Sequence, residues 1–188
     1  MIKTKNATKK QIMEMESDLL FYQYIQNEYS EGHNNKDFQD VFTNYYLKTQ
    51  GIIRLPENRI PFFNVLFRCK KDDDLIELVK LLNNEMATDM YEFSFATKLL
   101  HTVNPNSPIY DSKIHMYLRN EEGVPFKAPE RSIERIEYNW KQLNQWYKNF
   151  IEKDERCEQW INWFDSIFPS FKEISIVKKI DTIIFFLS

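Results

Sequence analysis

Glycine scarcity is the feature that most constrains this chain, since only Gly32, Gly51 and Gly123 occur among its 188 residues. Tight β-hairpins and phosphate-binding loops both need backbone positions with positive φ, which glycine supplies most readily. The rest of the sequence consists of long segments that mix polar and apolar residues and contain few breakers. We therefore predict an all-α protein, and the length fits one compact multi-helix domain spanning residues 1–188.

Charge and cysteine content narrow the class of protein. A net charge of −3 gives no overall positive field of the kind that duplex-binding proteins carry, although a local basic patch could still bind nucleic acid. Cys69 and Cys157 lack CxxC spacing, which is typical of reduced thiols inside a cell. The basic start MIKTKNATKK has no apolar run behind it, and no segment approaches the ~20 apolar residues of a membrane span. We expect a cytoplasmic protein that binds no membrane.

Apolar residues recur at helical spacing along most of the chain. We expect residues 1–8 to be a flexible basic tail. The final segment, ISIVKKIDTIIFFL, is β-branched enough for a strand, but no other clear strand could pair with it, so a helix is favoured. Further helices are predicted over Lys9–Ser30, from Asp37, from Pro61, after Asp72–Asp74, over Glu92–Val103, from Asp111, from about Glu130 and in ERCEQWINWFDSIF.

Metal-binding and cofactor-binding patterns are sparse in the sequence. The carboxylates of Asp72–Asp74 indicate either a metal site or a helix N-terminus, and the helix is favoured because its macrodipole attracts anions. His33, His101 and His115 stand apart from one another without an HExxH or Cys/His cluster. We interpret His101 and His115 as polar surface or loop contacts rather than catalytic bases. No metal and no cofactor is expected.

The segment FSFATKLLHTVNPNSPIYDSKIHMYL, residues 93–118, predicts two helices joined by a proline-containing loop. On the first helix, Ser94, Lys98 and His101 lie opposite an apolar stripe, so they face either water or a cleft. Asp111 precedes the second helix and is a good N-cap, worth about 1 kcal/mol. An N-cap needs no further function, so both a structural and a catalytic role of Asp111 remain open.

Lys98 can serve as a nucleophile only as a neutral amine. The pKa of a free lysine is ~10.4, so it would have to fall to about 7, which corresponds to roughly 4 kcal/mol. Burial or cationic neighbours are the sources of such a change, and a fully exposed Lys98 would stay an inert ammonium. The catalytic hypothesis therefore depends on whether Ser94, Lys98 and His101 line a cavity.

The motifs FATKLLH and NPNSPIYDS resemble the helix-hairpin-helix DNA glycosylase superfamily, in particular small bacterial proteins with an 8-oxoguanine DNA glycosylase-like fold. The element ATK, ending in Lys98, is similar to the superfamily's GxxK lysine. The element PIYD, ending in Asp111, is similar to its proline–apolar–aspartate segment, and VKKIDTIIFFL resembles the C-terminal helix of the small relatives. The hairpin is degenerate, because MYEFSFATK has no glycine where the superfamily has two, and Lys113 stands where the larger enzymes have a histidine.

This resemblance implies a DNA glycosylase-like fold, a role in DNA repair, and cleavage of the N-glycosidic bond of a flipped damaged or modified base. Lys98 would attack the sugar C1′ by a Schiff-base route, and Asp111 would stabilise the cationic character that develops at the sugar. DNA or another nucleic acid is the expected partner. The expected substrate contacts are Ser94, His101, Lys113 and His115.

A second hypothesis is a non-catalytic interaction or regulatory protein of the same all-helical ancestry. Such a protein would bind a protein partner through its aromatic-rich surface, for example in a bacterial defence system. The acidic pI of about 5.7 favours this hypothesis. The pairing of Lys98 with Asp111 favours the enzyme.

Overall fold

The structure of the protein, a computed structural model, describes residues 8–46, 56–86, 91–127 and 132–188. Within these ranges it contains nine α-helices and no strand, which confirms the all-α prediction. None of the described helices is both long and apolar enough to span a bilayer. The helices are α1 (Lys9–Ser30), α2 (Lys36–Tyr46), α3 (Pro56–Arg68), α4 (Leu75–Glu85), α5 (Phe93–Val103), α6 (Ser112–Asn120), α7 (Ile133–Lys153), α8 (Glu155–Ile167) and α9 (Ile176–Leu187), with a 3-10 turn at Pro169–Phe171.

Side-chain caps fix several helix starts close to their predicted positions. Thr8 forms a capping box at the start of α1, so it belongs to the helix rather than to the predicted tail, whose residues 1–7 lie outside the described ranges. Asp74 accepts hydrogen bonds from the N–H groups of Ile76 and Glu77 at the start of α4. The acidic run before α4 therefore contributes an N-cap, as the helix interpretation predicts.

Two predicted boundaries differ from the observed ones. Helix α3 begins at Pro56, so Pro61 lies inside it rather than at its start. Pro61 has no N–H to donate to the carbonyl of Glu57, four residues earlier, but Glu57 is exposed and water can satisfy that group. Helix α7 begins at Ile133 behind an N-cap serine, three residues after the predicted start, which falls outside the described ranges.

The C-terminal segment is helical, as predicted. Val177, Ile180 and Ile184 follow helical spacing and are each at most 5% exposed. Helix α9 packs on α1, α6 and α8, so apolar neighbours cover most of its surface. That environment favours the helix over the strand that the β-branched composition allows.

Aromatic side chains fill the core on one side of α5. Their rings meet mostly edge-on, at centroid distances of 5.5 Å between Phe42 and Phe63 and 6.1 Å between Phe62 and Phe95. Each of these four side chains is at most 1% exposed. Every residue of α5 from Phe95 to Thr102 is buried, so α5 is a central helix covered on all its faces.

The loop between α5 and α6 is held on both sides. The Thr97 hydroxyl oxygen accepts a hydrogen bond of 3.0 Å from the Tyr110 N–H, which ties the end of the loop back to α5. The Ser175 hydroxyl at the start of α9 donates to the Pro105 carbonyl at 2.6 Å. These bonds fix the start of α6 relative to α5 and α9.

Replacing Thr97 with valine removes the acceptor of the buried Tyr110 N–H while keeping the side-chain volume. An unpaired buried donor costs about 1–3 kcal/mol, and we expect the free energy of unfolding in urea to fall by that amount. Thr102→Val is the matched control, because the Thr102 hydroxyl only donates to the Lys98 carbonyl of the same helix, which the helical N–H also reaches. Equal losses in the two variants would contradict this role of Thr97.

Candidate active site

A cavity of about 840 Å³ lies between α1, α2, α5, α6 and α9. Its size falls in the range of about 300–1,000 Å³ that is usual for small-molecule sites. The lining combines charged and aromatic side chains, with Tyr45, Tyr46, Tyr110, Phe185 and Phe186 as the aromatic ones. The charged lining residues in the described ranges are Glu14, Asp18, Lys98, Asp111, Lys113, Lys178 and Asp181.

Lys98 lines this cavity although its side chain is almost completely buried. It is 5% exposed, and its Nζ donates to the Ser94 Oγ at 3.0 Å. Burial lowers the pKa of Lys98 below its usual value, and the opposing attraction of Asp111 and Asp181 does not reverse the change. The pKa therefore shifts in the direction that an amine nucleophile requires.

Asp111 is the N-cap of α6, as predicted. Its Oδ1 accepts hydrogen bonds of 2.9 Å from the N–H groups of both Lys113 and Ile114. Burial and the nearby Asp181 carboxylate raise the pKa of Asp111, against the opposing effects of these N–H groups and Lys98. Both capping bonds end on Oδ1, so the cap itself does not use Oδ2.

Lys98 and Asp111 lie close enough for each to influence the pKa of the other. Within the described ranges they form no direct ion pair, and the Lys98 amine bonds instead to Ser94. Burial moves both groups towards their neutral forms, because it lowers the pKa of the lysine and raises that of the aspartate. The cavity lining therefore combines an amine and a carboxyl group whose charged forms are both disfavoured by burial.

Helix α9 contributes a second pair of ionisable side chains to the same cavity. The Lys178 Nζ donates to the Asp181 Oδ2 at 2.6 Å, and the two side chains are 7% and 4% exposed. Burial, the largest single cause, lowers the pKa of Lys178, but Asp181 together with Tyr45 and Tyr46 raises it more, so that pKa lies well above its usual value. The Lys178 ammonium also lies 5.2 Å from the ring centre of Tyr22.

Sequence reasoning did not identify Lys178 or Asp181. The detectable signal is a lysine and an aspartate three residues apart inside the apolar segment VKKIDTIIFFL. On a half-exposed helix such a pair lies on the solvent face, which is the ordinary interpretation. Here α9 is covered by three other helices, so the same pair lies in the interior.

His101 does not line the cavity, although it was one of the four expected substrate contacts. It is fully buried rather than on the surface, so the surface interpretation is wrong and the loop-contact interpretation is right. Its Nδ1 donates to the Ser107 carbonyl at 2.6 Å within the α5–α6 loop. Burial lowers the pKa of His101 to about 4, so the ring is neutral at pH 7 and holds the loop in place.

His115 lines the cavity and is half-buried. Its Nδ1 pairs with the Tyr110 hydroxyl, and its ring stacks on Phe126 at a centroid distance of 5.1 Å. Both neighbours are buried. The imidazole is therefore held in one orientation at the edge of the cavity.

Lys113 is exposed and lies at the mouth of the cavity. Its Nζ is 4.3 Å from the ring centre of Phe185, which is a favourable cation–π distance. Ser94, Lys113 and His115 thus share one cavity with Lys98 and Asp111, and their contact with a substrate stays a prediction.

His33 has two carboxylate neighbours in the structure. It follows the end of α1, and its Nδ1 lies 3.1 Å from a carboxylate oxygen of Glu28 and 3.4 Å from one of Glu31. The cluster is largely exposed and belongs to the surface, away from the cavity. Exposed acidic groups around a histidine are common without a metal ion, so the cluster carries no functional argument.

Comparisons of the chain with family models, with curated proteins and with solved structures find no match. Within the protein itself, several ionisable side chains with shifted pKa values line one cavity. Lys98, Asp111 and Lys178 all line it, and their pKa shifts arise from burial together with specific charged neighbours. That combination marks catalytic sites in many enzymes, so this cavity is the candidate active site.

The burial of Lys98 has a consequence for stability. A lysine with a lowered pKa in the folded state destabilises the fold below that pKa, and the cost disappears as the pH rises towards the ~10.4 of the unfolded chain. We expect Lys98→Met to raise the free energy of unfolding at pH 7, with a gain over the wild type that shrinks by pH 10. Urea unfolding at both pH values measures the difference.

Lys172→Met, at an exposed position outside the cavity, is the control and should show no such pH-dependent gain. If Lys98→Met destabilised the protein equally at both pH values, the burial cost assigned to Lys98 would be wrong.

Proposed function

We propose that the protein cleaves the N-glycosidic bond of a damaged or modified base, with Lys98 as the nucleophile and Asp111 as its electrostatic partner. The observation that carries the proposal is the buried Lys98 amine on the same cavity as the Asp111 carboxylate, without a direct ion pair between them. The motifs ATK and PIYD, which resemble those of DNA glycosylases, supply the reaction class. The substrate is a base in DNA or in another nucleic acid.

The charge of the cavity suits a base and its sugar better than a phosphate. Among the described lining residues four carboxylates oppose three lysines, and burial shifts one of each, Asp111 and Lys98, towards its neutral form, so carboxylates stay in excess. A negative lining repels phosphate but stabilises the positive charge that develops on the sugar as the glycosidic bond breaks. The phosphate backbone would therefore stay outside while the base and C1′ enter the cavity.

The proposed reaction begins with the neutral Lys98 amine. Its lone pair attacks C1′ as the bond from C1′ to the base breaks, and the electron pair of that bond leaves with the base, which takes up a proton from water. The new ammonium gives a proton to Asp111, whose raised pKa suits it to receive one. That proton passes to O4′ as the sugar ring opens, which leaves an iminium between Lys98 and C1′. Water then hydrolyses the iminium and releases the lysine.

Ser94 has a positioning role in this scheme. Its Oγ accepts one N–H bond from the Lys98 amine at 3.0 Å, which restricts the rotation of the amine inside the cavity. A nucleophile that is fixed in direction reaches its target atom with a smaller loss of entropy.

Borohydride trapping tests the covalent step. Reduction of the iminium should join the wild-type protein to a lesion-bearing strand, and Lys98→Gln should give no adduct because it has no amine. Lys172→Gln is the matched control, since it removes an exposed lysine outside the cavity and should still give the adduct. An equal band from Lys98→Gln, or no band with any lesion, would contradict the Schiff-base route.

Asp111→Asn separates catalysis from capping. Asparagine caps a helix about as well as aspartate, so Tm should change little, while base release should fall by about 10²–10³-fold as a preorganised charge is lost. Asp74→Asn makes the same change at the N-cap of α4, outside the cavity, and should leave base release unchanged. Unchanged base release by the folded Asp111→Asn variant would contradict the catalytic role proposed for Asp111.

The proposed activity belongs in the cytoplasm, where a reducing environment keeps thiols free. Cys69 and Cys157 are both free and buried, in keeping with that compartment. If the folded wild type released no base and formed no adduct, the alternative of a non-catalytic interaction protein would be favoured.

A further inference from the structure

Phe185 is an exposed aromatic side chain on the candidate active site. It lies near the end of α9, lines the cavity and is 39% exposed. Within the described ranges the other large apolar side chains that are exposed, among them Phe21 and Met116, do not line the cavity. A single exposed ring is ordinary on a protein surface, so the position of Phe185 and its neighbour carry the argument.

That neighbour is Lys113, whose Nζ lies 4.3 Å from the ring centre of Phe185. Lys113 is exposed, whereas Lys98 and Lys178, the other described lysines on the cavity, are each 5% exposed. Among these three, Lys113 is therefore the one that an anion outside the cavity can contact. An ammonium has three N–H donors, so it can bind an anion while it stays beside the ring.

The mouth and the interior of the cavity differ in charge. Carboxylates are in excess among the described lining residues, so a phosphate is repelled from the interior. At the mouth, the Lys113 ammonium attracts a phosphate, and the adjacent Phe185 ring offers a surface for a planar group. A phosphate joined to a planar base is what each nucleotide of a strand presents, and proteins that bind single strands pair cationic with aromatic side chains for this reason.

We propose that Lys113 and Phe185 form a subsite for the nucleotide that flanks the excised base in a single-stranded nucleic acid. The ammonium contacts the phosphate of that nucleotide, and the ring stacks on its base. The proposal rests on the proposed function for the placement of the strand, because a flanking nucleotide reaches the mouth when its neighbour occupies the cavity. Binding at the mouth does not require the Lys98 amine, so it can be measured separately from the reaction.

The stacking contact is the reason for the single strand. A base inside a duplex is already stacked on both faces, and uncovering one face costs unstacking energy. A base in a single strand has an uncovered face that can stack on an aromatic side chain. The net charge of −3 also gives no broad positive surface for the backbone of a duplex.

Fluorescence anisotropy of labelled oligonucleotides with the full chain tests the subsite. The probes are an oligodeoxyadenylate, the same strand paired with its complement, and a strand of equal length whose sugars carry no bases. We expect the oligodeoxyadenylate to bind at least about fivefold more tightly than either of the other two, because it alone offers uncovered bases to Phe185.

Two substitutions separate the ring from the charge. Phe185→Leu keeps an apolar side chain at an exposed position, so Tm should change little. It should weaken the binding of oligodeoxyadenylate at least about fivefold and leave the binding of the strand without bases unchanged. Lys113→Gln should weaken the binding of both single strands and reduce the slope of log K against log salt by about 0.7, the value for one phosphate contact.

Tyr138 and Lys127 supply matched controls. The Lys127 Nζ lies 4.0 Å from the ring centre of Tyr138, and neither residue lines the cavity. Tyr138→Leu and Lys127→Gln should therefore bind every probe as the wild type does. Losses equal to those of Phe185→Leu and Lys113→Gln would overturn the subsite, because binding would then not depend on the mouth of the cavity.

Equal affinities of the wild type for the three probes would overturn the subsite, and so would the absence of binding to all of them. Binding of the single strand that Phe185→Leu and Lys113→Gln both weaken, in a protein that forms no borohydride adduct, would support the subsite and contradict the cleavage. An adduct that forms equally well on a duplex and with Phe185→Leu would support the cleavage and contradict the subsite.

Discussion

Three buried ionisable side chains and a partly buried one, Asp111, line one cavity, and the cost of removing their charges from water is the constraint on which the site depends. Lys178 and Asp181 offset this cost by forming a direct ion pair of 2.6 Å within α9. Lys98 and Asp111 have no such direct pairing with each other in the described residues, and burial instead shifts their pKa values towards the neutral forms. The first pair therefore keeps both charges through direct contact. The second pair moves towards its neutral forms, which suits a reactive amine.

The fold makes this arrangement stable by covering α5 on all its faces. The aromatic core lies on one side, and the loop to α6 is tied back through Thr97 and the Tyr110 N–H. Lys98 thus projects from a helix that is held in place, into a cavity bounded by α6 and α9. The burial that makes its charge unfavourable is the condition for a reactive amine, which links the packing of the helices to the proposed cleavage.

The sequence was sufficient for the fold class and for local features that depend on neighbours along the chain. Glycine scarcity and helical spacing predicted the all-α structure, and the position of Asp111 ahead of an apolar stripe predicted its N-cap. Helical spacing shows which residues share a face, but not how many faces other helices cover. The burial of His101 and of the Lys178–Asp181 pair depends on that covering, so neither could be predicted from the sequence.

The ionisation of Lys98 is the most direct test of the whole account. Lysines labelled with ¹³C at Cε allow each amine to be titrated by NMR, and the Lys98 signal is identified by its absence in Lys98→Gln. We predict that Lys98 titrates below the ~10.4 of a free lysine, because it is 5% exposed and burial disfavours its charged form. A midpoint at or above the free value would contradict the account, since Lys98 would then be an ammonium at neutral pH and not a nucleophile.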